Sequence, residues 1–208
     1  MLGLLPLLAE PLVFVVVLAA AAFGLVMHNV AQAWLAARLG DATAQRTGFA
    51  SLEPRVHLDV ISFIFLVLLG FGVPRSVPTR LRGSSEVWVS LAGPGSLLLM
   101  ALIYLLIGAL LPAGYSLEGV SQGLTFAAAL MVRHAAIFIF PVPPLDGSRI
   151  VYAVGGIEQR RLMDRIAQSG PLGFLVIFLV LSLTGILGAA EQGFISLISM
   201  ALQGIGLG

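Results

Sequence analysis

The chain has 208 residues, of which 59% are hydrophobic and 10% charged, and its mean hydropathy is +1.04. That balance excludes a soluble globular domain of ordinary composition, where about a quarter of residues are charged. A formal net charge of +1, with all eleven basic residues arginine, gives nucleic acid no electrostatic footprint, and without cysteine a metal would need His, Asp, Glu or amide oxygen. The first stretch, MLGLLPLLAEPLVFVVVLAAAAFGLV, ends in small residues as a secretory signal does. It has no positive n-region, carries Glu10 and runs on into VMHNVAQAWLAARLGD, so a cleaved signal is not expected.

Apolar windows fall at 11–37, 60–73, 87–112, 121–140, 171–189 and 193–206. A helical crossing needs about 20 apolar residues. The first, third and fourth windows are comfortable spans, the fifth is adequate, and the last is short and Gly-rich. The second, VISFIFLVLLGFGV, stops at Pro74 and suits a re-entrant segment better. Arginines near span ends stay on the cytoplasmic side. If 60–73 enters and leaves by one face, every arginine except Arg133 lies on that side, and the opposite loop PAGYSLEG carries only Glu118. The following PRSVPTRLRGSSE has no helical apolar period and reads as a turn or short extended strands at the interface.

Two constellations could carry chemistry. His28 and Gln32 share a helix face at i and i+4, with Asn29 where the general base stands in H-E-x-x-H. Asn29 has no basic site at neutral pH, and Gln32 offers only a neutral amide oxygen, a poor zinc ligand beside imidazole. The plain alternative is a set of polar side chains bonded between helices. The second constellation is FIFPVPPLDGSRI, Phe138 to Ile150, where Asp146 follows a proline cluster. A carboxylate there must be paired, solvated or metal-bound. Its plain alternative is a cap on a helix starting at Gly147 or Ser148. His134, one turn before Phe138, could substitute as a ligand with His28 and Asp146. Arg133 and His134 could instead join a hydrogen-bonded cluster with Glu10 or Asp59, or mark an ion path. His57 and Asp59 precede the re-entrant segment as H-x-D.

The order HNVAQAWLAARLGDATAQR, VHLDVISFI, SLAGPGSLLLMAL, FPVPPLDGSRIV resembles, over residues 20–155, the short bacterial form of the site-2 protease family of intramembrane zinc metallopeptidases. The resemblance implies a three-helix core, zinc held by H-E-x-x-H and the Asp of L-D-G, and a membrane-dipping β-hairpin between the first two core helices. It places His28 and Asp146 on two ligand positions and Gln32 on the lost third. Asn29 stands where the family has its catalytic Glu. Leu97 and Phe138 stand where it has asparagines near the substrate. Four departures on three helices read as an evolved loss of peptidase chemistry.

The expected fold is therefore an all-α polytopic membrane protein with a site-2-protease-like core, about five to six membrane segments, one re-entrant, and the small β-hairpin. It forms a single transmembrane domain, 1–208, with 156–208 supplying an amphipathic segment and membrane helices. The expected function is that of a pseudoprotease in the bacterial inner membrane: no catalytic residue, His28 and Asp146 as vestigial ligands, and no cofactor. Its partners would be the lipid bilayer and other transmembrane subunits, with no nucleic acid. The alternative is an active intramembrane metallopeptidase that binds zinc through nonstandard ligands.

Overall fold

The computed structural model describes residues 3–112 and 114–204. A 3-10 turn, Leu5–Ala9, leads into α1 (Pro11–Arg38). Single turns α2 (Thr43–Arg46) and α3 (Pro54–His57) precede the short α4 (Val60–Leu69) and the long α5 (Ser84–Leu110) and α6 (Tyr115–Phe138). Four more helices follow: α7 (Asp146–Val154), α8 (Ile157–Gln168), α9 (Gly170–Leu183) and α10 (Ile186–Gly204). The ends of the expected domain, residues 1–2 and 205–208, lie outside the described residues, as does Ala113 in the PAGYSLEG loop.

Pro11 opens α1 at a position whose N–H would have no helical partner anyway. The helix then runs unbroken to Leu39, and Gly40, at φ +96°, turns the chain out. Its buried stripe is Val13, Val17, Ala21, Leu25, His28, Gln32 and Ala36. That spacing, three or four residues per step, turns the polar pair into the same core as the aliphatic residues. α1, α5 and α6 pack mutually, α7 lies on α5, and α10 leans on α6. The Tyr104 hydroxyl of α5 donates to the Ala20 carbonyl of α1 at 2.7 Å, tying the two where lipid offers no water.

Among the described residues three helices, α1, α5 and α10, are long and apolar enough to cross a bilayer, and the bent pair α8–α9 would make a fourth. This is an integral membrane protein. α8 is a poor part of any span, because Glu158, Arg160, Arg161, Asp164 and Arg165 are exposed on it. α6 has the length, 24 residues, but carries Arg133 and His134. α4, with 10 residues, extends only about 15 Å against a hydrocarbon core of about 30 Å. Each of the six apolar windows contains a helix, and fewer than the expected five to six segments meet the length and composition of a full span.

The expected β-hairpin is not formed among the described residues. Residues 71–82 are irregular. Pro74 and Pro78 have no N–H to give a ladder, and neighbouring backbone groups are already committed elsewhere. The Gly72 N–H donates to His134 Nε2 at 3.1 Å, and the Arg75 N–H to the His57 carbonyl at 2.7 Å. The Arg75 carbonyl accepts from Asn29 at 2.9 Å, and the Arg80 N–H donates to the Asp41 carboxylate.

Asp41 thus anchors the segment from the loop below α1. The Thr43 side chain first, then the N–H groups of Arg80 and Thr43, hold its carboxyl below the usual carboxylate range. A lowered folded value contributes stability that is complete above about pH 4 and is lost as pH falls through that lower value. Asp41→Ala should remove about 1–3 kcal/mol from the local anchoring at neutral pH. Faster proteolysis within 75–83 in proteoliposomes is the expected readout, with the wild type approaching the variant only in acid.

Candidate functional site

α1 and the start of α7 bring His28, Asn29, Gln32 and Asp146 into one buried cluster. Asp146 is the first residue of α7, and its carboxylate makes no cap to that helix. It turns inward instead: Oδ2 lies 2.7 Å from His28 Nε2, and Oδ1 accepts from Gln32 Nε2 at 2.8 Å. The Gln32 carbonyl oxygen accepts from Arg149 Nη1 at 2.8 Å. Arginine only donates, so that contact fixes the orientation of the Gln32 amide. Asn29 Nδ2 donates to the Arg75 carbonyl, which leaves Asn29 Oδ1 to accept from His28 Nδ1 at 2.9 Å. With a hydrogen on Nδ1 and a 2.7 Å contact at Nε2, one proton lies between His28 and Asp146.

Arg149 extends the cluster outward. Its Nη2 lies 2.7 Å and its Nε 2.9 Å from Glu86 Oε1, and its Nη1 is 3.6 Å from Asp146 Oδ1. The Thr79 hydroxyl donates to Glu86 Oε2 at 2.8 Å. The network therefore runs from Asn29 on α1 to the first turn of α5 and the irregular segment, and it ties four parts of the chain together. Gly93 makes this approach possible: a Cβ there would meet His28 Nε2 and Gln32 Nε2. Any larger residue would push α5 off the cluster.

One of the two apolar departures, Phe138, sits against it. The Phe138 ring lies 4.7 Å from the His28 ring, and Leu97 is fully buried in the same core. His134, the suggested substitute ligand, is fully buried too. Its Nδ1–H donates to the Leu130 carbonyl at 2.7 Å, its Nε2 accepts from Gly72, and Phe71 stacks on it at 5.3 Å. Both nitrogens are thus engaged. His57 lies apart in α3, with Nε2 donating to the Ser51 carbonyl at 2.8 Å, and burial pushes its imidazole below its usual value. Asp59 caps α4 through the Ser62 N–H at 2.7 Å. Of the suggested cluster, Arg133 pairs with Glu191 of α10 at 3.4 Å. Asp59 is used at its cap.

The donor set does not fit zinc. A zinc site takes about three or more protein ligands, and a hydrolytic one also needs a nearby base. His28 and Asp146 supply two ligands, the Gln32 amide turns its N–H side to Asp146, and Asn29 has no lone pair that takes a proton. Among the described residues no group of three His, Asp or Glu side chains converges.

Fold and site together define a class: a helical membrane protein with a buried polar cluster between its first long helix and α7. No family model and no solved structure matches the chain. It is 34% identical over 164 residues to "Putative zinc metalloprotease YwhC" of Bacillus subtilis (strain 168), covering 73% of this chain and 74% of the relative. It is 29% identical over 184 residues to "Putative zinc metalloprotease Rip2" of Mycobacterium tuberculosis (strain ATCC 25618 / H37Rv), covering 83% and 70%. The chain belongs to the site-2 protease family.

Sequence reasoning missed Glu86, Thr79, Arg149 and Glu191. A signal existed for two of them. A glutamate in the first turn of a membrane helix calls for a cation, and Arg149 stands i+3 from Asp146 on a helical continuation.

Proposed function

We propose that this chain is a non-catalytic member of its family in the bacterial inner membrane, binding a transmembrane partner as a regulator or fixed subunit. One observation carries the loss of catalysis: both oxygens of Asp146 are taken, by His28 and by the amide that replaces the third ligand. The residues that would polarise a scissile carbonyl instead hold α1, α5 and α7 to one another.

Two features support a partner. A Cβ at Gly95 on α5 or at Gly188 on α10 would meet nothing within 4 Å, unlike one at Gly93. Small residues whose space is not filled from within let a neighbouring helix approach closely. A cavity of about 510 Å³ also opens between α4, the irregular segment and the start of α9, lined by Asp59, Phe65, Arg75, Ser76, Pro144 and Phe174. Its mixture of apolar walls and backbone suits an extended segment of another chain.

The second reading is an active zinc metallopeptidase using nonstandard ligands, and the names of the two relatives favour it. Purification from native membranes separates the two. Retention of a stoichiometric transmembrane subunit, lost when Gly95 and Gly188 are both changed to Leu, supports the first reading. A chain that purifies alone, carries zinc and cleaves a model substrate overturns it.

A further inference from the structure

A second polar cavity, about 290 Å³, lies on the outer side of Arg149, between the irregular segment, the first turn of α5, α7 and α8. Thr79, Arg82, Glu86, Arg149, Tyr152 and Arg160 line it. Three guanidinium groups therefore face one carboxylate, and that carboxylate is already consumed. Glu86 accepts from Arg149 through one oxygen and from Thr79 through the other. The Tyr152 hydroxyl donates to Asp164 at 2.9 Å, so that carboxylate is also engaged. Arg82 and Arg160 are exposed, and neither side chain makes an ion pair or hydrogen bond among the described residues. The cavity thus holds two uncompensated cations with free donors at its rim.

We infer that this cavity binds a phosphate group, through Arg82 and Arg160, and that occupancy is coupled to the His28–Asp146 cluster through Arg149. Planar guanidinium forks match the oxygens of a phosphate bidentately. The volume, near the lower end of the range for ligand sites, admits a phosphate with the first atoms of whatever bears it. Arg161 and Arg165 are exposed on the same helix as Arg160, and arginine clusters of this kind attract anionic headgroups at a membrane surface. The coupling follows from Arg149 being shared. Its guanidinium holds Glu86 at the cavity wall and the Gln32 oxygen on the inner side, so an anion that draws it outward relaxes Gln32 and, through it, Asp146. This holds whether or not the chain hydrolyses peptides.

The test uses the full chain in nanodiscs of phosphatidylcholine alone or with phosphatidylglycerol, beside an Arg82→Gln, Arg160→Gln variant. Both changes are at exposed positions, so folding should be preserved, and an unchanged melting temperature checks it. Inorganic phosphate is titrated while the ring ¹⁵N signals of the three histidines are followed. The site predicts saturable phosphate binding that shifts the His28 signal and weakens about tenfold per arginine removed. If the natural source is lipid, native mass spectrometry finds phosphatidylglycerol held by the wild type, competing with phosphate and lost in the variant. If it is soluble, phosphate binds equally with or without phosphatidylglycerol, and no lipid is held. Binding equal in wild type and variant, or none of either ligand, overturns the site. Binding that leaves the His28 signal unmoved overturns the coupling.

Discussion

Arg149→Ala should destabilise the chain by about 3–5 kcal/mol, because it strands a buried carboxylate at Glu86 and removes the cation beside Asp146. Glu86 and Arg149 side chains are only 10% and 16% exposed, so water entering from the cavity replaces the lost partner only in part. The Gln32 oxygen loses its donor in the same step, and the Gln32–Asp146 bond loses its fixed geometry. A second change, Glu86→Leu, should recover part of the loss by removing the stranded charge, while Glu86→Leu alone should be nearly as harmful as Arg149→Ala. Thermal unfolding in detergent of the four proteins forms the cycle. A single-variant loss below about 0.5 kcal/mol would mean the pair behaves as a solvated surface bridge.

Restoring Asn29→Glu and Gln32→His together should give zinc binding without hydrolysis. The introduced imidazole, with His28 and Asp146, would complete three ligands, and the introduced carboxylate would stand beside a bound water. Substrate is another matter. Phe138 is packed on the His28 ring and Leu97 is fully buried, so apolar bulk fills the positions where the family resemblance puts amide side chains. A peptide backbone brought there would lose its hydrogen bonds to water and gain none. Cleavage of a model transmembrane substrate should stay at background in this double variant and rise only when Leu97→Asn and Phe138→Asn are added. Robust cleavage by the double variant would return the chain to the enzyme class.

Much of the site could be read from the sequence because it depends on local spacing. His28 and Gln32 share a face by helical period alone, and the collinear order of motifs put Asp146 beside them. The segment 60–73 is legible as too short to cross because its apolar run stops at Pro74, and the helix α4 ends earlier still, at Gly70. The hairpin was misjudged for the opposite reason. Extended composition in 71–82 says nothing about which partners its backbone finds, and it finds Asn29, Asp41, His57 and His134. Arg149 and Glu86 are 63 residues apart, and no periodicity links them. Glu191 was invisible as a partner of Arg133 until α10 folded against α6.

The central claim, that a hydrogen-bonded lock stands where the family's zinc would be, is tested most directly by metal stoichiometry. The wild type and the Gln32→His variant are each equilibrated with excess zinc, freed of loose metal, and weighed intact by native mass spectrometry. The account predicts no tightly held zinc on the wild type and one per chain on the variant. One zinc per wild-type chain that disappears with His28→Ala would contradict it.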